Sequence, residues 1–147
     1  MTNLNKKFFL EKSTITSVEN IVGIENVLKD KADCWVYGYD NSRKHTAPDM
    51  VVFPETHTEV GKICKICSTN KIPLTARGRG TNTTGASIPK AGGLVLSFDR
   101  MNRIIKIDAS NSVMVVQPGV TNGEVQTAAA KHGFFWAPDP TSGNYCT

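Results

Sequence analysis

Long apolar runs are missing from this chain. No stretch approaches the roughly 20 residues needed to cross a bilayer. Behind the N-terminal lysines, only Phe8 to Leu10 form an apolar run, too short for a secretory signal. The expectation is a cytoplasmic protein. Charge of one sign is also scarce. A net charge of +4 suits an anionic ligand, but it is too small and too scattered to argue for nucleic acid. Cysteine is sparse: Cys34, Cys64, Cys67 and Cys146. Without a signal peptide these read as free thiols. Cys64 and Cys67 form C-K-I-C, yet no second C-x-x-C and no paired histidines follow, so no metal site is expected. Val60, Ile63, Cys64 and Cys67 instead fall on one helical face, which predicts core cysteines.

What is present is an ordinary globular composition. The 147 residues are 39% apolar and 20% charged, enough for one domain with a real core. Residues 14 to 30 carry a weakly amphipathic helical pattern (Val18, Ile21, Val22, Val27, Leu28) that Gly23 divides into two pieces. "CWVYGYDNSRKHTAPD" follows as a polar connector, and its Arg43-Lys44-His45 cluster reads as a solvated loop. Met50 to Phe53 is a short apolar run closed by Pro54, a buried strand. Thr56 and Glu59 form a capping box, so a helix starts there and stops near Asn70. Ile72 to Ala76 is the next strand, parallel to the first across the helix.

A strand from Leu94 to Phe98 comes next. Ile104 to Ile107 and Val113 to Gln117 make a hairpin around Ala-Ser-Asn-Ser. Thr121 and Glu124 repeat the capping box, and the helix they open, with Val125, Ala128 and Ala129 on one side, ends at Gly133. The fold class is α+β, with at least five strands and about three helices.

The segment between the second and third strands, "LTARGRGTNTTGASIP", has no hydrophobic periodicity. Two nucleotide motifs fail against it. Gly80 and Gly85 have P-loop spacing, but Ala86 stands where lysine belongs. A dinucleotide fingerprint needs its third glycine two places earlier, and Pro89 with Gly92-Gly93 opposes a following helix. The physics of an anion site remains. Gly78 and Gly80 allow unusual backbone angles, so successive N–H groups can form a concave nest. Thr81, Asn82, Thr83 and Thr84 add donors, and Arg77 and Arg79 add charge. A mobile connection that is merely glycine-rich is the alternative.

The loop "RGRGTNTTG", the preceding "PDMVVFPETHTEV", the later "VVQPGV" and the terminal "APDPTS" stand in an order and spacing that resemble FAD-linked oxidases. These carry an FAD-binding domain of the vanillyl-alcohol-oxidase or PCMH type. Glycolate oxidase flavoprotein subunits and D-lactate dehydrogenases are the most similar branch. The resemblance runs from about Gly23 to Thr147. It implies a PCMH-type fold, with an N-terminal β-α-β subdomain and the start of a second mixed-sheet subdomain. Residues 1–46 would be a helical segment and connector, and 47–147 the FAD-binding domain, truncated at its C-terminal side.

The resemblance also implies a site. Arg77, Gly78, Arg79, Gly80, Thr81, Asn82 and Gly85 match the loop that wraps the FAD pyrophosphate through backbone amides. Pro118, Gly119 and Val120 match a segment near the nucleotide. Pro138, Asp139, Pro140 and Ser142 match a loop that closes on the pyrophosphate and approaches the flavin, and Thr147 belongs with them. Some family members attach FAD through a histidine in or near the loop. No histidine lies between His57 and His132 here, so FAD is expected to be non-covalent.

Nothing in the sequence assembles into a triad, a carboxylate pair or a metal cluster, so no catalytic residue is assigned. The resemblance places the substrate-binding domain beyond Thr147. The expectation is therefore the FAD-binding portion of an oxidoreductase that oxidises a 2-hydroxy acid of the glycolate or D-lactate type. It would be inactive alone, would bind FAD weakly or not at all, and would tend to self-associate through exposed strand edges. The full-length enzyme would be cytoplasmic or peripheral to the inner membrane. The competing readings are a non-catalytic nucleotide-binding module and a nucleic-acid binder using "SRKH" and "RGRG".

Overall fold

The computed structural model describes residues 10–147. The reading of Phe8 and Phe9 lies outside them. The first helix, α1, spans Lys12–Val22 and stops at Gly23, whose φ of +89° favours glycine. The second half of the expected helical pattern does not form a helix. Residues Ile24–Asn26 make one 3₁₀ turn, and Val27–Leu28 become a short strand, β1. Tertiary pairing decides this: Val27 and Leu28 pair antiparallel with Val52 and Val51. An unanticipated helix, α2 (Lys31–Trp35), leads into the connector, with the Asp30 carboxylate accepting from the Ala32 N–H at 2.8 Å.

Strand β2 (Met50–Val52) leads into α3 (His57–Thr69), which starts at the expected Thr56–Glu59 capping box. Strand β3 (Leu74–Arg77) follows, then β4 (Leu94–Ser97). The sheet order is β1-β2-β4-β3, so β4 lies between the two strands that α3 connects. Both β2 and β3 are parallel to β4. Strands β5 (Ile104–Asp108) and β6 (Val113–Val116) form a separate antiparallel hairpin, and α4 (Asn122–Ala130) follows behind its own capping box. Gly133, at φ +77°, turns the chain out of α4, and the Phe134 N–H reaches back to the Ala129 carbonyl at 3.1 Å.

Alternation along the strands divides the core. Met50, Val52, Leu94 and Leu96 pack with Val18, Val22, Ile63 and Cys67 from α1 and α3. Val51 and Val95 point the other way, onto Cys34 of α2. A parallel sheet covered on both faces needs such continuous apolar runs. On α3, Ile63 and Cys67 are buried one turn apart, while Cys64 is exposed. The expectation of two core cysteines thus holds for Cys67 and fails for Cys64, which lies on the shoulder of the apolar face.

Candidate cofactor-binding site

Three segments meet at the C-terminal end of β4. The first is the glycine loop after β3. The backbone N–H groups of 78–84 donate to no protein acceptor among the described residues. Gly80 and Gly85 take φ of +67° and +81°, and Gly78 does not need a positive φ. Gly78 instead allows close approach: an added Cβ would overlap the Thr147 hydroxyl. At Gly80 the same atom would strike the Arg77 guanidinium. None of these seven residues is buried, so the donors face accessible space, which is the donor set an anion nest requires.

The second segment is Pro118-Gly119-Val120. The Gly119 N–H donates to the Met101 carbonyl at 2.8 Å, and a Cβ there would overlap the carbonyls of Phe98 and Met101. The same stretch after β4 also meets the glycine loop. The Phe98 N–H donates to the Arg77 carbonyl at 3.0 Å, and Asp99 pairs with Arg79 at 3.5 Å. The third segment, 138–147, wraps the first turn of α4. The N–H groups of Asn122 and Gly123 donate to the carbonyls of Cys146 and Gly143, and Asn122 Nδ2 donates to the Pro138 carbonyl at 3.2 Å. The Ser142 carbonyl accepts from Tyr145 and Cys146, and the Pro140 carbonyl from Gly143. Asp139 is exposed. Thr147 touches Gly78, whereas no hydrogen bond joins 138–142 to 77–85 among the described residues.

Electrostatics separate the two arginines from the row of free backbone donors. Arg77 is only 7% exposed. Its Nη1 donates to the Tyr39 carbonyl at 2.6 Å, and its guanidinium sits 5.7 and 5.9 Å from the Tyr37 and Tyr39 ring centres. Burial pushes its pKa down, against the opposing pull of Tyr39, Asp99, Tyr37 and Asp40. Arg79 already has Asp99. Both arginine charges are thus engaged within the protein, and the unpaired groups are N–H donors.

Sequence reasoning missed the far wall of this loop, the connector. Asn41 donates from its backbone N–H to the Asn82 carbonyl at 3.0 Å and from Nδ2 to the Thr81 carbonyl at 3.1 Å. Asp40 is buried and accepts from the Ser42 N–H at 2.8 Å, an Asx turn that "DNS" does announce locally. Burial raises the Asp40 pKa, but the Ser42 hydroxyl and N–H, the Gly85 N–H and Arg77 outweigh it and hold the carboxyl low. The Gly85 N–H and Ser42 hydroxyl influence that carboxylate without reaching hydrogen-bond geometry, so Oδ2 and Ser42 Oγ are buried without a close partner. Within the loop, Asn82 braces the turn: Oδ1 accepts from the Ala86 N–H at 3.1 Å and Nδ2 donates to Ser87 Oγ at 2.8 Å.

An apolar groove of about 230 Å³ lies elsewhere, between the β5–β6 hairpin and α4. Val113, Met114, Val125, Phe134 and Trp136 line it together with His132, and it shares no residue with the glycine loop. His45 stacks on Trp35 with ring centres 3.8 Å apart, and His57 opens α3. Among the described residues, no three His, Cys, Asp or Glu side chains group as a metal site. No helix among them is long and apolar enough to cross a membrane.

The described residues thus form an α+β domain in which a parallel β-strand runs into a loop of N–H groups without a protein acceptor, backed by a second loop at the same sheet end. The chain belongs to the FAD-binding domain family, which it matches over residues 48–147. It is 40% identical over 123 residues to the glycolate oxidase subunit GlcD of Bacillus subtilis (strain 168), covering 83% of this chain and 26% of that protein. It is 34% identical over 93 residues to a D-lactate dehydrogenase of Anaerostipes hadrus, covering 63% and 20%. Among solved structures, p-cresol methylhydroxylase with substrate bound superposes with a TM-score of 0.71 at 27% identity, covering 83% of this chain and 25% of that one. The fold is therefore the PCMH-type FAD-binding domain, and the relatives are FAD-linked oxidoreductases. The chain spans about a quarter of the length of the curated relatives it matches.

Proposed function

We propose that this chain supplies the FAD-holding part of an oxidoreductase that oxidises a small 2-hydroxy acid, with FAD bound non-covalently. The observation that carries the reading is the row of N–H groups at 78–84 with no acceptor of their own, in a chain of this family. When bound, FAD accepts the electrons of the alcohol oxidation. The protein's part is to bind and orient. The backbone of Arg77 to Asn82 and of Gly85 cradles the pyrophosphate. Pro118 to Val120 border the nucleotide. Pro138 to Ser142, with Thr147, close the cradle from the α4 side.

The names of the relatives support the 2-hydroxy-acid class: glycolate and D-lactate both place a hydroxyl beside a carboxylate. Non-covalent attachment is supported by the positions of the histidines, since none lies within the loop. The chain spans about a quarter of the relatives' length, and by itself it holds FAD weakly and does not catalyse. The working unit is 47–147, with the connector before it as a brace.

Titration of the purified chain with FAD, followed by quenching of flavin fluorescence, tests this. The expected result is weak but saturable binding that ADP competes away, with the flavin released into the supernatant after acid precipitation. Absence of saturable binding would overturn the cofactor-holding role, and flavin retained in the precipitate would overturn the non-covalent one.

A further inference from the structure

Asn41 reaches across to the glycine loop from 40 positions away and makes two bonds there. Its N–H holds the Asn82 carbonyl, and its Nδ2 holds the Thr81 carbonyl. A trans peptide is planar, so the carbonyl of one residue and the N–H of the next point in opposite directions. No peptide bond is cis among the described residues. With the carbonyls of Thr81 and Asn82 turned to the connector, the N–H groups of Asn82 and Thr83 must face away from it, side by side. Neither donates to the protein among the described residues.

We propose that Asn41 is the positioning residue of this loop, and that the Thr83 N–H joins that of Asn82 as a donor pair for a diphosphate oxygen. The proposal rests on the cofactor reading above and adds two residues to it. The connector holds Asn41 at its post by local means. The Asp40–Ser42 Asx turn sets the bend, Arg43 takes a left-handed φ of +64°, and the Tyr39 carbonyl is clamped by Arg77. Asn41 itself is exposed, so changing it leaves the core alone.

The test compares wild type with Asn41→Ala, which removes the side-chain donor, and Asn41→Asp, which sets a carboxylate oxygen against the Thr81 carbonyl. Each protein is titrated with FAD and, without cofactor, is cut by trypsin at the exposed Arg79. Expected is an FAD Kd raised roughly threefold to tenfold in the alanine variant and more in the aspartate variant. The thermal midpoint should move by no more than about 2 °C, and cleavage after Arg79 should speed up several-fold. Where wild type binds FAD, equal affinities in all three proteins overturn the proposal. Where wild type takes up no FAD, the cofactor reading fails separately and the cleavage rate decides: faster cutting in the variants upholds Asn41, and equal rates reject it.

Discussion

Arg77 and Tyr39 stand 38 positions apart, yet the guanidinium Nη1 donates to the Tyr39 carbonyl at 2.6 Å beneath Gly80. The charge that opens the glycine loop is thus turned inward, under the loop. The arginine acts as a pillar: its guanidinium lies over two tyrosine rings, and its bond to the Tyr39 carbonyl ties β3 to the connector.

Arg77→Ala removes that pillar and leaves the Tyr39 carbonyl without its donor. The expected loss is about 2–3 kcal/mol of unfolding free energy, from the lost bond and the lost packing together. Urea unfolding followed by tryptophan fluorescence measures it. Arg77→Lys should recover only part of the loss, since an ammonium reproduces neither the fork nor the stacking. Unchanged stability in the alanine variant would reject the pillar.

Gly80→Ala meets two obstacles at once. Its φ of +67° disfavours a side chain, and the new Cβ points into the Arg77 guanidinium. A cost of about 1–3 kcal/mol follows from the backbone conformation and the displacement of Arg77. Gly61, on α3, has nothing within 4 Å of an added Cβ. Gly61→Ala should therefore stabilise by up to about 1 kcal/mol. Paired thermal melts in which both substitutions move the midpoint the same way would contradict the geometry.

Asp99 holds Arg79 at 3.5 Å at the rim of the loop. Both side chains are partly exposed, so the pair contributes little to stability. Asp99→Asn frees the guanidinium and removes a carboxylate from the mouth. FAD affinity should rise about twofold to fivefold at low salt, and the gain should fade at about 0.5 M salt as screening shortens the range of the charge. An effect that ignores salt would place the residue's role outside electrostatics.

The thiols should separate by burial. Burial pushes Cys34 and Cys67 each up to about 11, while Cys64 lies exposed on α3. A thiol reagent near pH 8 should therefore label Cys64 first and reach Cys34 and Cys67 only after unfolding. The sign for stability follows from the same shifts. Folding favours the neutral thiol, so the contribution is complete below the ordinary value of 9.0 and is lost as pH rises toward 11. Cys67→Ala should flatten that alkaline decline, as read from urea midpoints at pH 8 and above.

Local signals were legible in the sequence and non-local ones were not. Both capping boxes and the hairpin depend on residues within a few positions of each other, and they stand where the spacing put them. Val27 and Leu28 have the character of a helix's apolar face, and only their pairing with β2 makes them a strand. Cys64 and Cys67 fit one apolar stripe, and only the angle at which α3 meets the sheet exposes one and buries the other. "YDNS" lies in what reads as a polar connector, and nothing near it in the chain says that Asn41 will hold Thr81 and Asn82.

The sequence by itself determined the loop. Its glycines and polar side chains suit an anion, because backbone freedom and donor chemistry reside in those residues, and the four motifs in register resemble those of FAD-linked oxidases. Tertiary structure decided how the loop is held. Insertion of β4 between β2 and β3 brings Asp99 and Gly119 to the loop's end of the sheet, and the connector folds back against it. Whether an arginine faces ligand or protein, and which way a peptide N–H points, depends on partners distant in sequence, and those partners meet only in the folded chain.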